Sequence, residues 1–411
     1  MKVLVFAHRL ELGGTQTNAI ELAATVRDTH GHDVVLFATP GPASELARGK
    51  GLRLIDAPAA TTHPSPAVMR ALRAAVRAEK PDLIHVWDWP QCFDAYFGEH
   101  LVHGVPLLCT MMGMVVPSFV PRQLPTTFGT QQLAEDARRS RTGTVDLLEP
   151  PVDVDFNAPG AVDPAPFKEK FGLTDDKTTI VTVSRLVEWL KLESLLRSIE
   201  AVDLLAATHA VRLVIVGEGT AAEQVAARAA EVNRKHGTDV VVLTGGLLDP
   251  RPAYEAADVM LGMGGSALRT LAFAKPIVVL GEKGFSLPFD ESTVGYFRQH
   301  GYYGLGKGTE TPADLAAQIA PMIEDSLLRK ELGEFGRGVV VEHYGLDPAA
   351  RGLEELYRRV AAAPAHRTTT AREGARTVAM LTARRLPSPV KDKLRAVVRR
   401  LAPNRGQGVA S

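Results

Sequence analysis

The stretch Ala257–Phe285 limits the fold of this chain more than any other, because two short apolar runs flank a glycine-rich turn within it. The runs Asp258–Leu261 and Ile277–Leu280 are rich in branched residues, as strands buried on both faces are. Strands of this kind occur in parallel sheets that helices cover on both sides. The stretch therefore predicts a strand, a turn, a short helix and a second strand of an α/β protein.

The turn in this stretch has the composition of an anion-binding loop. Its glycines allow unusual backbone angles and close approach of a ligand, and Ser266 is predicted to cap a helix that begins at Ala267. Free amides at a helix start bind anions, and Arg269, one turn further on, adds a forked cation for a phosphate. An ordinary strand-to-helix turn is the alternative, which the stretch alone does not exclude. The residues that we expect to contact a bound group here are Gly264, Gly265, Ser266, Ala267, Leu268 and Arg269.

Length and composition indicate a globular protein of two domains. A chain of 411 residues exceeds one ordinary core, and no apolar run approaches the roughly 18–20 residues of a membrane span. Because the N-terminus lacks the apolar core of a signal peptide, we expect a cytoplasmic protein. Cys92 and Cys109 are the only cysteines, which predicts structural thiols rather than a disulfide scaffold or a thiolate metal cluster. The Ala- and Arg-rich composition fits a high-GC bacterial source.

The first third of the chain alternates strands with helices. An apolar strand at Lys2–Ala7 precedes a loop and an amphipathic helix, and Gly13 and Gly14 stand directly before that helix, where backbone amides can face a phosphate or sugar. The alternation continues to Leu148 and predicts a mainly parallel sheet. His85 lies near a carboxyl strand end, where open α/β sheets bind ligands, and is a candidate ligand-binding or catalytic residue. A histidine packed in the core beside tryptophans is the alternative.

A linker at Glu149–Pro166 separates this series from a second one. It contains the DxD sequence Asp153–Asp155, of the kind that binds metal in some sugar-nucleotide enzymes. A proline-flanked linker is poorly suited to a rigid octahedral cation, so we predict no metal site there. In the second series Arg185 follows a strand end directly, and Lys191 lies six residues later near a helix start. Two cations in these positions can hold a diphosphate between them, whereas either one alone reads as a solvated helix-end charge.

Taken together, these motifs resemble those of the retaining glycosyltransferases of the two-Rossmann-domain (GT-B) type, close to family 4. The resemblance covers Met1 to about Val360, and its specificity comes from the order and spacing of loosely defined motifs. It implies an α/β fold with two Rossmann-like domains whose parallel sheets face each other across a cleft. The motifs are the GG loop at Gly13 and Gly14, DLIHVWDW, PPVDVDFNAPG, SRLVEWLKLESLL, RLVIVGEG, VVLTGGL, and AADVML with AKPIVVL.

The resemblance implies a domain organisation and a site. Residues 1–155 would form an acceptor domain and residues 156–345 a nucleotide-sugar-binding domain, while the helix 346–362 would cross back to the first domain. The donor is a nucleotide-diphosphate sugar, a substrate rather than a cofactor, and no cofactor is expected. The resemblance implies that Arg185 and Lys191 contact the diphosphate and that Gly13 and Gly14 contact the sugar phosphate. It also places two loops beside the base: Gly217–Gly219, with Gly217 and Gly219 in contact, and Gly245–Leu247, with Gly245 and Gly246 in contact.

Two departures from the family concern the donor site. Similar enzymes carry two glutamates eight residues apart in the part that corresponds to Gly262–Phe273, one for the sugar and one for the ribose. Neither is present here, and Arg269 stands in place of the second. Glu282 or Asp290, which are eight residues apart, are candidates to replace the missing ribose carboxylate. In addition, the family's histidine-glycine after the fifth strand is Met112–Gly113 here.

A third departure concerns the diphosphate. Leu190 stands where the family's lysine is expected, one residue before Lys191. These changes affect the assignment of the donor more than that of the fold, and the sequence names neither the sugar nor the nucleotide.

Under this resemblance the chain is an enzyme, a metal-independent retaining glycosyltransferase with a small-molecule, glycan or lipid-linked acceptor. The acceptor hydroxyl attacks from the face that the diphosphate leaves, and Arg185, Lys191, Arg269 and the amides around Gly265 stabilise the departing charge. One alternative is a catalytically degenerate protein that binds a nucleotide or sugar without turnover. Another is a sugar epimerase or phosphorylase, but the sequence has no clear cluster of paired carboxylates or acid/base histidines for those reactions.

Residues 363–411 are predicted to form a basic tail. After Pro364 eleven Lys or Arg stand against two acidic residues. The segments Ala371–Arg385 and Pro389–Leu401 mix basic with apolar residues at roughly helical spacing, which suits an anionic membrane surface through residues 365–405 and a peripheral location at the inner membrane face. Disorder or docking on the protein itself is the alternative, and nucleic acid is not expected as a partner.

Overall fold

The computed structural model describes residues 1–11, 13–115, 117–363 and 367–385 of the chain. Its strands form two separate sheets with helices between successive strands, which confirms the predicted α/β fold with two Rossmann-like domains. We refer to each sheet, with the helices packed on it, as a domain. The strands are β1 (Lys2–Arg9), β2 (Asp33–Thr39), β3 (Arg53–Asp56), β4 (Leu83–Trp87), β5 (Leu107–Met111), β6 (Thr126–Phe128), β7 (Val145–Leu147), β8 (Thr178–Val183), β9 (Val211–Val216), β10 (Val241–Gly245), β11 (Val259–Gly262), β12 (Ile277–Leu280) and β13 (Ser286–Pro288).

Helices connect most of these strands and cover the faces of both sheets. A π-helical turn at Tyr96–His100 joins the fourth helix to the fifth. The helices are α1 (Gly14–His30), α2 (Ser44–Gly49), α3 (Pro66–Glu79), α4 (Trp89–Ala95), α5 (Leu101–His103), α6 (Gln131–Arg138), α7 (Ala165–Lys170), α8 (Glu188–Leu205), α9 (Ala222–His236), α10 (Arg251–Ala256), α11 (Gly265–Ala272), α12 (Val294–His300), α13 (Pro312–Glu324), α14 (Ser326–His343), α15 (Leu346–Ala362) and α16 (Arg367–Arg385).

The first sheet is parallel throughout, with the strand order β3-β2-β1-β4-β5-β6-β7. β1 pairs with β2 on one side, where Val3 lies opposite Val34, and with β4 on the other, where Val3 lies opposite Leu83. The strand order therefore reverses between β1 and β4. In open α/β sheets the carboxyl ends at such a reversal form the crevice in which ligands bind.

The second sheet has the strand order β10-β9-β8-β11-β12-β13 and is parallel except for the last pair. Its order reverses between β8 and β11, where Ile180 lies opposite Val259. The loops after these two strands are consequently neighbours. The loop after β8 carries Arg185, and the loop after β11 carries Gly264, so the sheet brings two of the predicted site segments together.

Two short strands, β6 and β13, show no strand pattern of their own in the sequence. Each contains only three residues, which is too short to show either an alternating pattern or an apolar run. β6 nevertheless pairs with both β5 and β7, and β13 pairs with β12 in the antiparallel direction. Pairing with a longer neighbour, rather than local composition, defines both strands.

α15 packs on the first domain although it follows the helices of the second. It lies against α1, β4 and β5, and Tyr357 is 1% exposed within this contact. The chain crosses between the domains beside this point, because Val152 of the linker pairs with Gly345 directly before α15. The linker and the start of α15 thus form the two chain crossings between the sheets.

α16, the described part of the basic tail, docks on the first domain. The carboxylate of Glu373 accepts a hydrogen bond from Arg122 Nη2 at 2.9 Å and another from Arg376 Nε at 2.9 Å. Tyr96 donates its hydroxyl to the carbonyl of Thr370 at 2.6 Å. This docking agrees with the alternative of self-docking for Ala371–Arg385, while the predicted segment Pro389–Leu401 lies outside the described residues. None of the described helices combines the length and apolar character that crossing a bilayer requires.

Candidate active site

The loops at the carboxyl ends of the second sheet lie together around the end of β8. Leu186 donates its amide to the carbonyl of Glu218 at 2.9 Å, and Ala221 donates to the carbonyl of Leu186 at 2.8 Å. The loop after β9 in turn receives support from β10, because Gly217 donates to the carbonyl of Gly245 at 3.0 Å. These backbone bonds fix the loop that carries Arg185.

Arg185 and Lys191 lie close enough for their charges to interact. Arg185 is exposed directly after β8, whereas Lys191 is half-buried. Burial, together with the charge of Arg185, lowers the pKa of Lys191 from 10.5 to about 8. Neither side chain forms an ion pair with a carboxylate among the residues that the structure describes. Two neighbouring cations without a carboxylate partner favour the binding of an anion.

A kink at the start of α8 places Lys191. Trp189 has ψ 130° and Leu190 has φ 72°, so regular helical geometry begins only at Lys191. A leucine with positive φ carries backbone strain. The kink brings Lys191 to the first turn of the regular helix, where its ammonium adds to the positive end of the helix dipole.

Gly217 and Gly219 are required by packing of the backbone. A Cβ atom on Gly217 would lie 1.8 Å from the carbonyl oxygen of Ser184, and one on Gly219 would lie 2.2 Å from that of Leu186. Both residues also have φ near 150°. The glycines therefore allow the loop after β9 to pack against the Arg185 loop, and their predicted position beside the base stays a prediction.

Gly245 and Gly246 end β10 and are exposed. Gly245 has φ 74°, a left-handed conformation that favours glycine. A Cβ atom on Gly246 would lie 2.7 Å from the carboxyl carbon of Glu218. The two glycines thus flank the loop after β9, and their predicted contact with the base stays a prediction.

α11 begins two residues earlier than the sequence predicts. Its N-cap is Gly264, whose φ of 61° and ψ of −130° suit glycine. A Cβ atom at this position would meet nothing within 4 Å, so the backbone conformation and not the space requires glycine. Ser266 lies inside the helix, where its Oγ contacts the amide and the carbonyl of Met263. The prediction that Ser266 caps the helix is therefore wrong.

The early start of α11 also removes Ala267 and Leu268 from the candidate site. Their side chains are 0% and 2% exposed, and their amides donate to the carbonyl of Gly264 at 3.0 and 3.2 Å. Within the described residues, the amides of Gly265 and Ser266 have no backbone acceptor. The anion site predicted at this helix start is consequently confined to these two amides.

Arg269 lies beside these amides and faces the first domain. Its Nη1 donates to the carbonyl of Gly265 at 3.3 Å, and its Nη2 is 3.8 Å from Oε2 of Glu21 on α1. Glu21 is buried, and burial raises the pKa of its carboxyl group, while Arg269 opposes that shift. The sequence prediction missed Glu21, although a carboxylate in the otherwise apolar run of α1 is a recognisable signal.

Gly13 and Gly14 form the start of α1. Gly13 is the N-cap in an extended conformation, and its carbonyl accepts hydrogen bonds from the amide and the hydroxyl of Thr17. A Cβ atom on Gly14 would meet nothing within 4 Å. The helix start is thus open, and its predicted approach to the sugar phosphate stays a prediction.

His85 belongs to the core rather than to a catalytic site. It is 0% exposed, its Nδ1 is 2.7 Å from the Tyr357 hydroxyl, and its Nε2 is 2.6 Å from Thr110 Oγ1. Burial lowers the pKa of His85 to about 3, so the ring is neutral. Because both ring nitrogens already have protein partners, His85 has no atom left for a substrate, and the structure favours the core alternative.

Glu282 and Asp290 are already engaged within the second domain. Glu282 Oε2 accepts a hydrogen bond from the Tyr303 hydroxyl, and burial together with this bond raises the pKa of that phenol. Asp290 Oδ1 accepts from the amides of Ser292 and Thr293 at 2.8 and 3.0 Å, as in a turn. Asp290 therefore has a structural role, and the predicted contact of Glu282 with the donor would compete with Tyr303.

The linker carboxylate Asp153 also has a local role. Its Oδ1 accepts from the amide of Phe156 at 2.8 Å, and its carbonyl accepts from Asn157. Across the described ranges, the structure contains no group of three or more His, Cys, Asp or Glu side chains that could hold a metal ion.

A second feature that sequence reasoning missed is a pair of side chains in the first domain. His63 Nδ1 is 2.5 Å from Oδ2 of Asp94, and Asp94 Oδ1 accepts the amide of Ser65 at 2.6 Å. Asp94 is 0% exposed. The partners are 31 residues apart and belong to no shared motif, so only the packing of α3 on α4 brings them together.

Comparisons with known proteins bear on the fold and on the enzyme class. Residues 12–133 match the model of Glycosyltransferase Family 4, and residues 177–325 match the model of Glycosyl transferases group 1. No curated protein sequence matches the chain. The fold is similar to that of a glycosyltransferase from Rickettsia africae, with a TM-score of 0.71 and 15% identity over 88% of this chain and 99% of that one.

Two further solved structures share the fold. Anabaena HepE in complex with UDP-glucose has a TM-score of 0.69 and 13% identity over 87% of this chain and 100% of that one. The UDP-GlcNAc 2-epimerase from Neisseria meningitidis has a TM-score of 0.60 and 12% identity over 86% of this chain and 99% of that one. Identities this low establish the fold alone, and the two family matches, one on each domain, establish the enzyme class. The chain is therefore a glycosyltransferase and belongs to the family 4-like enzymes of the GT-B type.

Proposed function

We propose that the enzyme transfers the sugar of a nucleoside-diphosphate sugar to an acceptor hydroxyl. The observation that carries this proposal is the pair Arg185 and Lys191, two interacting cations at the strand reversal of the second sheet with no carboxylate partner among the described residues. A diphosphate supplies the negative charge that the pair lacks. The complex of the similar protein HepE with UDP-glucose supports a nucleotide sugar as the donor.

In the proposed reaction the bond between the anomeric carbon and the diphosphate oxygen breaks through an oxocarbenium-like state. The acceptor oxygen forms its bond on the same face, and the leaving phosphate oxygen takes the acceptor's proton, so the anomeric configuration is retained. Arg185, Lys191 and the amides of Gly265 and Ser266 stabilise the departing charge. These groups provide the charge stabilisation for which other enzymes use a divalent cation, which supports metal-independent transfer.

The proposal is tested by incubating the purified protein with UDP-, GDP-, ADP- and dTDP-linked sugars and following slow donor hydrolysis in the presence of EDTA. We expect hydrolysis of at least one donor, with the released sugar first appearing in the configuration of the donor. Arg185→Ala should lower this rate by about a hundredfold or more, because it removes a cation from the leaving group. Arg234→Ala, an exposed arginine of α9, serves as the control. Near-normal turnover of Arg185→Ala would contradict the assignment.

A second candidate function is nucleotide or sugar binding without turnover. It is favoured by α11, whose first turn carries no acidic residue and whose Arg269 occupies a position where similar enzymes have a glutamate. Binding of a nucleotide sugar by calorimetry without any hydrolysis or transfer over a long incubation would establish this alternative. Any donor hydrolysis that depends on Arg185 would exclude it.

A further inference from the structure

Glu21 is a buried carboxylate with an unused hydrogen-bonding oxygen. Its side chain is 7% exposed, and Oε2 accepts no hydrogen bond from the residues that the structure describes. A buried carboxylate oxygen in this state has lost its water without receiving a protein donor in exchange. Buried polar atoms are normally satisfied, so an unsatisfied one at a binding cleft indicates a place for a ligand donor.

The unused oxygen faces the start of α11 in the other domain. Arg269 Nη2 lies 3.8 Å away, which is longer than a hydrogen bond. Arg269 also reaches the carbonyl of Gly265 through Nη1, so its guanidinium lies beside the two free amides of α11. A carboxylate of the first domain thus faces a cation and an anion-binding helix start of the second domain.

The surrounding charges do not satisfy Glu21. Lys50 and Asp153 act on its charge in opposite directions, and neither forms an ion pair or a hydrogen bond with it. Other carboxylates near the second-domain loops already have donors: Glu282 accepts from Tyr303, and Glu193 accepts from the amide of Gly284. Among these groups, Glu21 alone presents a buried acceptor without a donor.

From this arrangement we infer that Glu21 binds hydroxyl groups of the sugar carried by the donor. This inference rests on the proposed function. The diphosphate is placed at the amides of Gly265 and Ser266 and at the basic side chains of the second domain, because a phosphate at Glu21 would bring like charges together. A sugar presents several hydroxyl donors, and one of them can give the charge-assisted hydrogen bond that Oε2 lacks.

Nucleotide binding and sugar binding depend on different parts of the molecule. A nucleoside diphosphate needs only contacts with the second domain, whereas the sugar needs Glu21 of the first domain as well. The donor sugar is therefore held only when α1 and α11 face each other as they do here, with Glu21 and Arg269 in proximity. This makes Glu21 a determinant of sugar binding and not of nucleotide binding.

The test compares Glu21→Gln with the parent protein by calorimetry. The probes are UDP-glucose, UDP-N-acetylglucosamine, GDP-mannose and ADP-glucose, each paired with its own nucleoside diphosphate. For every nucleotide sugar that the parent binds, we expect Glu21→Gln to bind about tenfold more weakly, while binding of the matching diphosphate changes less than about twofold. Glu45→Gln, an exposed glutamate of α2, is the matched control and should change neither.

Thermal unfolding separates a ligand-binding role from a structural one. Glutamine has nearly the same volume and relieves a buried carboxylate oxygen that lacks a hydrogen-bond donor, but it also gives up the 3.8 Å ion pair with Arg269, so we expect the unfolding temperature of Glu21→Gln to stay close to that of the parent. A marked drop in unfolding temperature would show that Glu21 holds the domains together and would overturn the inference. Glu21→Asp, which keeps the charge but withdraws it by one methylene, should reproduce the selective loss of sugar binding.

Two further results would also overturn the inference: an equal loss of affinity for sugar and diphosphate forms, and no loss for either. If the parent protein binds neither the diphosphates nor the nucleotide sugars, the proposed function itself fails. The two failures are distinguishable, because the inference about Glu21 can fail only when the parent protein binds a nucleotide sugar or a diphosphate.

Discussion

Nucleotide binding should weaken as the pH rises through the lowered pKa of Lys191. Its pKa is lowered from 10.5 to about 8 by burial and by Arg185. At about 1.4 kcal/mol for each pKa unit, keeping Lys191 charged costs the free protein about 3 kcal/mol, an upper value because the side chain keeps part of its solvent contact. A bound diphosphate offsets this cost and stabilises the charged form.

The expected magnitude follows from the same pKa. At pH 7 most Lys191 side chains are protonated, and at pH 9 only about one in ten is. Because the terminal phosphate of UDP is already dianionic above pH 7, the Kd of UDP should rise about tenfold between pH 7 and pH 9. Lys191→Met should bind weakly and change less than about twofold over this range.

Calorimetric titration at pH 7, 8 and 9 measures this effect directly, in buffers of different ionisation enthalpy so that proton uptake is also determined. Net proton uptake on binding should be largest near and above pH 8 and absent in Lys191→Met. A Kd that is constant over the range in the parent protein, or a pH dependence that survives in Lys191→Met, would refute the assignment of Lys191.

The lowered pKa of Lys191 also makes the free energy of unfolding of the free protein depend on pH. Between pH 8 and 10.5 the unfolded chain binds more protons at Lys191 than the folded chain does, so this residue's contribution to the free energy of unfolding rises with pH. Below pH 8 the full cost of the buried charge is present. Lys191→Met should therefore be more stable than the parent at pH 7, by a difference that shrinks toward pH 10; urea unfolding at both pH values measures it.

Gly217→Ala should displace the Arg185 loop, lower the free energy of unfolding by about 1–3 kcal/mol and weaken UDP binding, because its Cβ atom would lie 1.8 Å from the carbonyl oxygen of Ser184. Gly338→Ala, whose Cβ atom would meet nothing within 4 Å, is the control. Unfolding curves of Gly217→Ala that equal those of the parent would contradict this prediction. His85→Ala should lower the free energy of unfolding by about 2–4 kcal/mol in urea, because hydrogen bonds are lost and a cavity is left, while kcat changes little. A large fall in kcat at an unchanged free energy of unfolding would indicate a catalytic role for His85. Glu373→Ala should release α16 and accelerate its cleavage by trypsin; cleavage at the parent rate would show that these bonds do not hold the helix.

The sequence predicts the fold well because the fold depends on repeated local patterns. β1 contains the continuous apolar run Val3–Ala7, and the apolar run of β12 lies between Pro276 and Gly281, so the existence and order of such strands can be read directly. β6 and β13 depend on pairing with neighbours, which no local pattern expresses. The early start of α11 has a similar cause, since Gly264 rather than Ser266 adopts the N-cap conformation.

The candidate site is only partly readable from the sequence. Arg185 follows a strand end and Lys191 lies in the first regular turn of the next helix, so their proximity could be predicted from the βα unit that contains them. Glu21 meets Arg269 only because the two domains face each other. His85 illustrates the opposite error, because its position at a strand end suggests a ligand while its partners Tyr357 and Thr110 come from α15 and β5.

A crystal structure of the protein soaked with UDP, or with the diphosphate of whichever donor it hydrolyses, tests the central claim most directly. We predict the diphosphate between the side chains of Arg185 and Lys191 and the amides of Gly265 and Ser266, with phosphate oxygens about 2.7–3.2 Å from their nitrogen atoms. A diphosphate bound away from the side chains of Arg185 and Lys191 would contradict the claim.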